Sequence, residues 1–249
     1  MPESPSPRLR TVNKVKPPYY LNQFPSNFGF KLGEEIIYLL ATKGKAVLEG
    51  PEWEEIFASC IGAKWKPSNV GLDDIVLDSC AWGAKTVKAR NPASWKIVRL
   101  ISGRNSPIYS FNKSFTFNDD PNIMGERIIS IWNERVAAIR KIHKHLRTIV
   151  LIKSYDLSEV VVFEFETVRY APELYVWKWN KNNNLVGCSK FEKHCFTWQP
   201  HGSQFTILEE VPEEALIIKV RLPPKLDKKV LLNGIGFNKE WIEVTKKNV

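Results

Sequence analysis

The spacing of apolar positions changes several times along the chain, and each change predicts an element. After Gly50-Pro51, the residues Trp53, Ile56, Phe57, Cys60 and Ile61 recur at one-face helical spacing, and a proline suits the first turn of a helix. Three runs then read as strands: GLDDIVLD, WGAKTVKA and WKIVRLIS, with breaks at Ser79-Cys80-Ala81 and at Asn91-Pro92. Asp120-Pro121 opens a long helix with an apolar stripe of Ile128, Trp132, Val136, Ile139, Ile142 and Leu146. Thr148 to Ile152 is a short β-branched run that predicts a buried strand.

The predicted order is therefore helix, three strands, helix, strand. The three strands can form a meander, and the long helix can cross over to a parallel fourth strand. This predicts an α/β (α+β) protein with a mixed central sheet flanked by helices. Residues 1–18, rich in proline, serine and basic residues, read as a mobile basic arm. Residues 19–249 read as one domain, with a core at about 50–153 and β-rich additions at about 154–249, where FTWQ, QFTIL and ALIIKVRL alternate with turns.

Composition narrows the class of partner. The chain has 249 residues and a net charge of +9, a surplus that attracts polyanions such as nucleic acid. No apolar run approaches the roughly 18 to 20 residues needed to span a bilayer, and the N-terminus carries no apolar core of a signal peptide. Cys60, Cys80, Cys188 and Cys195 form no CxxC pair, which predicts reduced thiols and a cytoplasmic setting. Cys188, His194 and Cys195 lack a fourth ligand at a zinc-site spacing, so they read as packed or surface side chains. There is no GxxxxGKS phosphate loop and no serine or cysteine placed with a histidine to suggest a triad.

The chemistry-bearing residues lie between Glu54 and Lys85. A hairpin centred on Ser79-Cys80 would oppose Val76 to Gly83, Leu77 to Trp82 and Asp74 to Lys85. Opposed side chains share a face with Cβ atoms roughly 5 Å apart, so Asp74 and Lys85 would meet. Asp73 alternates to the other face. An aspartate beside a lysine can be an ordinary cross-strand ion pair, or it can serve phosphodiester hydrolysis, which needs carboxylates for a divalent cation and a cation at the phosphate.

The segment resembles the PD-(D/E)xK nucleases, in which an aspartate precedes an acidic-x-lysine triplet and the core order is αβββαβ. Here the triplet is Gly83-Ala84-Lys85, with glycine at the acidic position. Three replacements for that acid are available: Glu54, on the border of its helix's apolar stripe; Asp78, on the face of Asp74 but roughly 13 Å along an extended strand; and Glu126 or Glu134 on the long helix. Glu54 is the preferred one, and the string GPEWEE resembles the first-helix Gly-x-x-x-Glu feature of this family. The resemblance implies that Asp74 and Glu54 bind Mg2+, that the main-chain carbonyl of Ala84 is a further ligand, and that Lys85 orients the attacking water.

Further strings resemble restriction endonucleases: VRLISGRNSP, IWNERV and FEFETVRYAPELYVWKWNKNNNLVG. Arg104 and Asn105, in a turn bounded by glycine and proline, and Lys88, Lys178 and Lys181 are candidate contacts to double-stranded DNA. Trp177 and Trp179 read as core aromatics of a hairpin, and Glu164 and Glu166 as structural. The expected function is a Mg2+-dependent type II restriction endonuclease, as a homodimer if its site is palindromic. The alternatives are a repair or recombination nuclease that reads DNA structure, and a non-catalytic nucleic-acid-binding protein.

Overall fold

The computed structural model describes residues 15–66, 71–112, 114 and 116–246. Most of the arm expected at residues 1–18 therefore lies outside the described residues. The helices are α1 (Phe28–Lys43), α2 (Gly50–Ile61), α3 (Pro107–Phe111), α4 (Pro121–Arg140) and α5 (Lys228–Gly234). The strands are β1 (Lys64–Trp65), β2 (Ile75–Leu77), β3 (Cys80–Lys88), β4 (Ile97–Arg104), β5 (His145–Lys153), β6 (Glu159–Glu166), β7 (Tyr175–Trp179), β8 (Leu185–Ser189), β9 (His194–Gln199), β10 (Gln204–Glu210) and β11 (Leu216–Lys219).

Two sheets form. The first has the order β1-β2-β3-β5-β6-β11, with β3 parallel to β5 and the other neighbours antiparallel. The second is antiparallel with the order β4-β10-β9-β8-β7. The protein is thus a mixed α/β molecule with a mixed sheet and flanking helices, as the pattern of apolar positions predicts.

The expected meander is only half right. Ile97–Arg104 does not return beside β3; it leaves to pair with β10 in the second sheet. Its place in the meander is taken by the two-residue β1, which pairs with β2. The physical reason is visible in burial. Along β4, Val98, Leu100 and Ser102 are buried while Ile97, Arg99 and Ile101 are exposed, the alternation of a half-solvated antiparallel strand. β5, by contrast, is buried on both faces from Leu146 to Lys153, as a central strand between helix layers must be.

The helices are built as the sequence indicates. In α2 the side chains of Trp53, Ile56, Phe57, Cys60 and Ile61 are all buried, with a proline in the first turn and Gly62 closing the helix in the left-handed conformation. Asp120 caps α4 by accepting from the Asn122 N–H at 2.8 Å. Its stripe buries Ile128, Trp132, Val136 and Ile139 but ends there: Ile142 is exposed, and Leu146 belongs to β5. α1, a sixteen-residue helix that the apolar periodicity did not single out, covers the same face as α2.

The two faces of β3 therefore meet different layers. Cys80, Trp82 and Ala84 pack with α1 and α2. Ala81 packs with α4 and the aromatic centre of the second sheet, which includes Trp132, Trp177, Phe196 and Phe205. By alternation Gly83 and Lys85 point to the α4 side. Beneath the other face a buried ion pair joins Arg147 of β5 to Glu164 of β6 at 2.8 Å. Trp82 also donates to Glu164, at 2.7 Å, and the Asn22 main chain at 3.2 Å. This network fixes the segment before α1 against the sheet and leaves Glu164 structural, as expected.

Candidate active site

The hairpin that carries the site closes tighter than expected. Its turn is Asp78-Ser79, with Asp78 at φ +52°, and the pairs are Leu77 with Cys80, Val76 with Ala81 and Ile75 with Trp82. The register is displaced by two residues from the expected one, in which Leu77 opposed Trp82. A two-residue displacement keeps every side chain on its face, because the strand period is two. Asp74 lies one residue beyond the last ladder pair, Ile75 with Trp82, at the entry to β2.

Gly83 is where the structure departs from the resemblance for a steric reason. A Cβ there would sit 2.9 Å from the Gly71 carbonyl oxygen and 3.2 Å from Leu72 Cα. An acidic side chain at the first position of the triplet has no room unless the backbone moves.

On α2, Glu54 is half-buried, whereas Glu55 is exposed, as the helical projection places them. The Trp65 indole N–H on β1 donates to Glu54 Oε2 at 3.2 Å and orients it. Burial raises the Glu54 carboxyl above its ordinary range; the negative charge of Asp74 adds to this, while the Trp65 bond and the Lys85 charge oppose it. Burial likewise depresses Lys85; the charges of Asp74 and Glu54 work against that depression, and the charge of Arg135 adds to it. Glu54, Asp74 and Lys85 thus act on one another, although they belong to three elements. Asp74 itself is buried, and its carbonyl accepts from the Lys66 N–H at 2.6 Å, which ties the start of β2 to β1.

Ala84 is compatible with the role that the resemblance implies. In a two-residue hairpin the closing pair exchanges both hydrogen bonds, and alternate residues then point toward the same neighbour. Counting from Cys80, the main chain of Ala84 faces the β2 side, beyond the last ladder pair at Trp82. Two carboxylates and a carbonyl are an all-oxygen set of the kind Mg2+ accepts, with waters and phosphate oxygens completing its shell. Among the described residues no group of three or more His, Cys, Asp and Glu side chains converges to hold a metal, so those additional oxygens are required. Cys188, His194 and Cys195 form no such group either: the His194 ring bonds the Phe196 carbonyl and the Thr197 hydroxyl at 2.9 Å each.

The other replacement acids fall away. Asp78 is exposed in the hairpin turn, and Glu126 and Glu134 are exposed on α4. Asp73, just before β2, has a buried Oδ1 that makes no hydrogen bond.

One site residue escaped the sequence reading. Arg135 on α4 is near enough to Lys85 for its charge to depress the lysine further. Its Nη1 donates to the Ser102 carbonyl at 2.8 Å and to Asn105 Oδ1 at 3.4 Å, and its guanidinium lies 5.6 Å from the Trp132 ring centroid. It also packs against Gly103, at φ +135°, where any Cβ would overlap it. The available signal was its place three residues after Trp132, on the border of the α4 stripe.

The candidate DNA contacts divide. Arg104, Lys88, Lys178 and Lys181 are exposed. Asn105 is not a protruding turn residue: it is fully buried, donates to the Ile128 carbonyl at 3.0 Å, and accepts the Trp198 indole N–H on its own carbonyl at 2.8 Å. Its polar groups are used to lock the end of β4 to α4 and the second sheet. Trp177 is buried between Gly125 of α4 and Gly187 of β8, in the core position its alternation predicts.

The site and the sheet around it define a class: a mixed α/β protein with two carboxylates and a lysine gathered where a hairpin meets a flanking helix. Comparison of the chain with protein-family models, with curated proteins and with solved structures found no match. No helix among the described residues is long and apolar enough to cross a membrane.

Proposed function

We propose that this protein is a Mg2+-dependent endonuclease of the PD-(D/E)xK type that hydrolyses double-stranded DNA at specific sites, in the manner of a type II restriction enzyme. What carries the reading is the proximity of Glu54 on α2, Asp74 just before β2 and Lys85 on β3, close enough that the charges of Asp74 and of each other bear on Glu54 and Lys85. The order α2, β1, β2, β3, then α4 and β5 once β4 and α3 have left for the second sheet and its neighbour, supports it: β5 is parallel to β3, the aspartate lies just before β2 and the lysine on the adjoining β3. The net charge of +9 suits a polyanionic substrate.

In this reading Asp74, Glu54 and the Ala84 carbonyl would hold Mg2+, which when bound acts as a Lewis acid at the phosphate. Lys85 holds the attacking water in line and offsets charge on the phosphoryl oxygens. Its burial strengthens that interaction, because fewer waters screen it. Arg135 adds positive charge near Lys85 and holds the end of β4 through the Ser102 carbonyl. Arg104, Lys88, Lys178 and Lys181 would meet the DNA backbone or bases, and a palindromic target would call for a homodimer.

A second reading has one observation in its favour. No third acidic side chain joins the site among the described residues, and Gly83 cannot supply one without a backbone shift. A nucleic-acid-binding protein with a degenerate centre would share these features.

Incubation of plasmid DNA with the protein and Mg2+ separates the readings. Discrete fragments, with cleavage reduced about 100-fold or more in Lys85→Ala, support the proposal. Salt-sensitive binding without metal-dependent cleavage favours the non-catalytic reading, and cleavage of branched substrates without sequence preference favours a repair nuclease. Cleavage that persists unchanged in Lys85→Ala contradicts the site.

A further inference from the structure

The first sheet ends in an edge strand. Among the described residues β11 pairs on one side only, with β6. The Val220 N–H donates to the Ser158 carbonyl at 2.8 Å, so alternation turns the main chain of Leu216 and Ile218 toward β6 and that of Ile217 and Lys219 to the open side. Such an edge is a template for another strand unless something blunts it. β11 contains no proline, and its register with β6 is unbroken.

The surface beside that edge is apolar. A groove of about 660 Å3 runs between α1 and β11, with Phe24, Phe28, Leu216 and Ile218 among its walls. Leu216 and Ile218 pack under Gly29 and Gly33 of α1, where a Cβ would meet them at 3.6 and 3.8 Å. Its rim is exposed: Phe30 by 82%, Ile37 by 41% and Ile217 by 50%. Phe30 and Ile37 lie two turns apart on one face of α1. Single exposed apolar residues are ordinary, but several around one groove beside an unpaired strand edge mark an interface.

The charges narrow the occupant to another copy of the chain. The groove is lined by two acids, Glu34 and Glu214, and two bases, Lys219 and Arg221, so it is balanced in a chain of net charge +9 and offers a polyanion nothing. Their order is self-complementary. The Glu213-Glu214 turn precedes β11, while Lys219 ends it and Arg221 follows. A twofold axis perpendicular to the sheet at Ile217 pairs β11 with a second β11 antiparallel. It sets each acidic turn alongside Lys219 and Arg221 of the partner subunit and keeps both α1 helices on one face. These charged groups are exposed, and Lys219 reaches Glu159 only at 3.7 Å.

The chain beyond β11 adds to the same face. The Leu226 N–H donates to the Ala41 carbonyl at 3.4 Å, which ties the segment to the end of α1. α5 follows, capped by Asp227, yet none of its residues is buried, and Val230 and Leu231 are exposed, as is Ile235 just after it. A seven-residue helix needs packing to be stable, and its own chain provides little.

We propose that a second copy of this chain docks here, by antiparallel pairing of the two β11 strands, with the α1 grooves and the C-terminal segments closing around the twofold axis.

The test is the mass of the full chain in solution, by analytical ultracentrifugation without DNA or metal. The parent is expected to reach twice the mass of a single chain at micromolar concentrations. Ile217→Pro removes an N–H on the open side and no ladder bond to β6, and Phe30→Glu places a charge where the ring is exposed, so neither change disturbs the core. Each should raise the dissociation constant about tenfold or more, with the circular dichroism of the folded chain retained. A parent that stays monomeric at about 100 µM overturns the proposal, whether the groove is then closed by the chain's own C-terminal segment or by another protein. A dimer undiminished in either folded variant overturns it as well. The measurement requires no cleavage, so its failure stands apart from that of the nuclease reading.

Discussion

Gly83 lies so close to the Gly71–Leu72 backbone that its missing side chain is a packing requirement. Gly83→Glu would restore the acidic letter of the family triplet but not an active geometry. The expected outcome is a loss of about 1–3 kcal/mol in urea unfolding, from overpacking, with no gain in cleavage. A stable variant with enhanced cleavage would show that the site had been waiting for that acid. Glu54 behaves in the opposite sense. Its carboxyl is raised in the folded state, so folding favours the protonated form, and ionisation above that value weakens the fold. Glu54→Gln removes this penalty. Its melting temperature at pH 8 without metal is therefore expected to equal or exceed that of the parent, while metal-dependent cleavage falls about 100-fold or more. A large drop in melting temperature would mark Glu54 as structural. At this scale alternation and helical projection anticipated that Asp74 is buried and Glu54 half-buried, near Lys85. The burial of Asn105 was not anticipated, because it depends on Ile128, Ser203 and Trp198, none of them local in sequence.

The elements divide along a similar line. α2, α4, β3 and β5 were legible because each carries a strong period or an uninterrupted β-branched run. β1 was not, since two residues show no period. β4 was recognised as a strand but assigned to the wrong sheet. Consecutive strands pair roughly two times in three, and the expectation followed that tendency. Its actual partner β10 lies about a hundred residues later, and alternation alone does not name a partner. The hairpin register was displaced because the turn uses Asp78 at positive φ, which an aspartate tolerates, rather than the Ser79-Cys80 pair. The element with the most at stake in stability is β6, through Glu164. Removing Glu164 leaves the buried Arg147 only its longer pair with Glu166, at 3.4 Å, so Glu164→Ala should cost about 3 kcal/mol in chemical denaturation. A loss under about 1 kcal/mol would mean that the Arg147 charge finds water.

Taken whole, the molecule carries a net charge of +9. Each exposed lysine that meets a phosphate releases counterions, so DNA affinity should fall steeply with salt. Lys178→Ala and Lys181→Ala, both on the exposed rim of the second sheet, are expected to weaken binding about equally on any sequence. Each should lower the salt slope by about one, measured in calcium so that cleavage does not intervene. Unchanged slopes would remove that rim from the DNA interface. The fold class was legible at this scale because apolar period and charge are global properties; the second sheet was not, because its order depends on pairings far apart in the chain. The central claim is that Glu54 and Asp74 jointly hold one divalent cation beside Lys85. Manganese binding, followed by electron paramagnetic resonance with DNA present, tests it most directly. One ion per site should be held by the parent, about tenfold or more weakly by Asp74→Asn and by Glu54→Gln, and little worse by the double variant. Binding that is undiminished in both single variants would contradict a shared cation site.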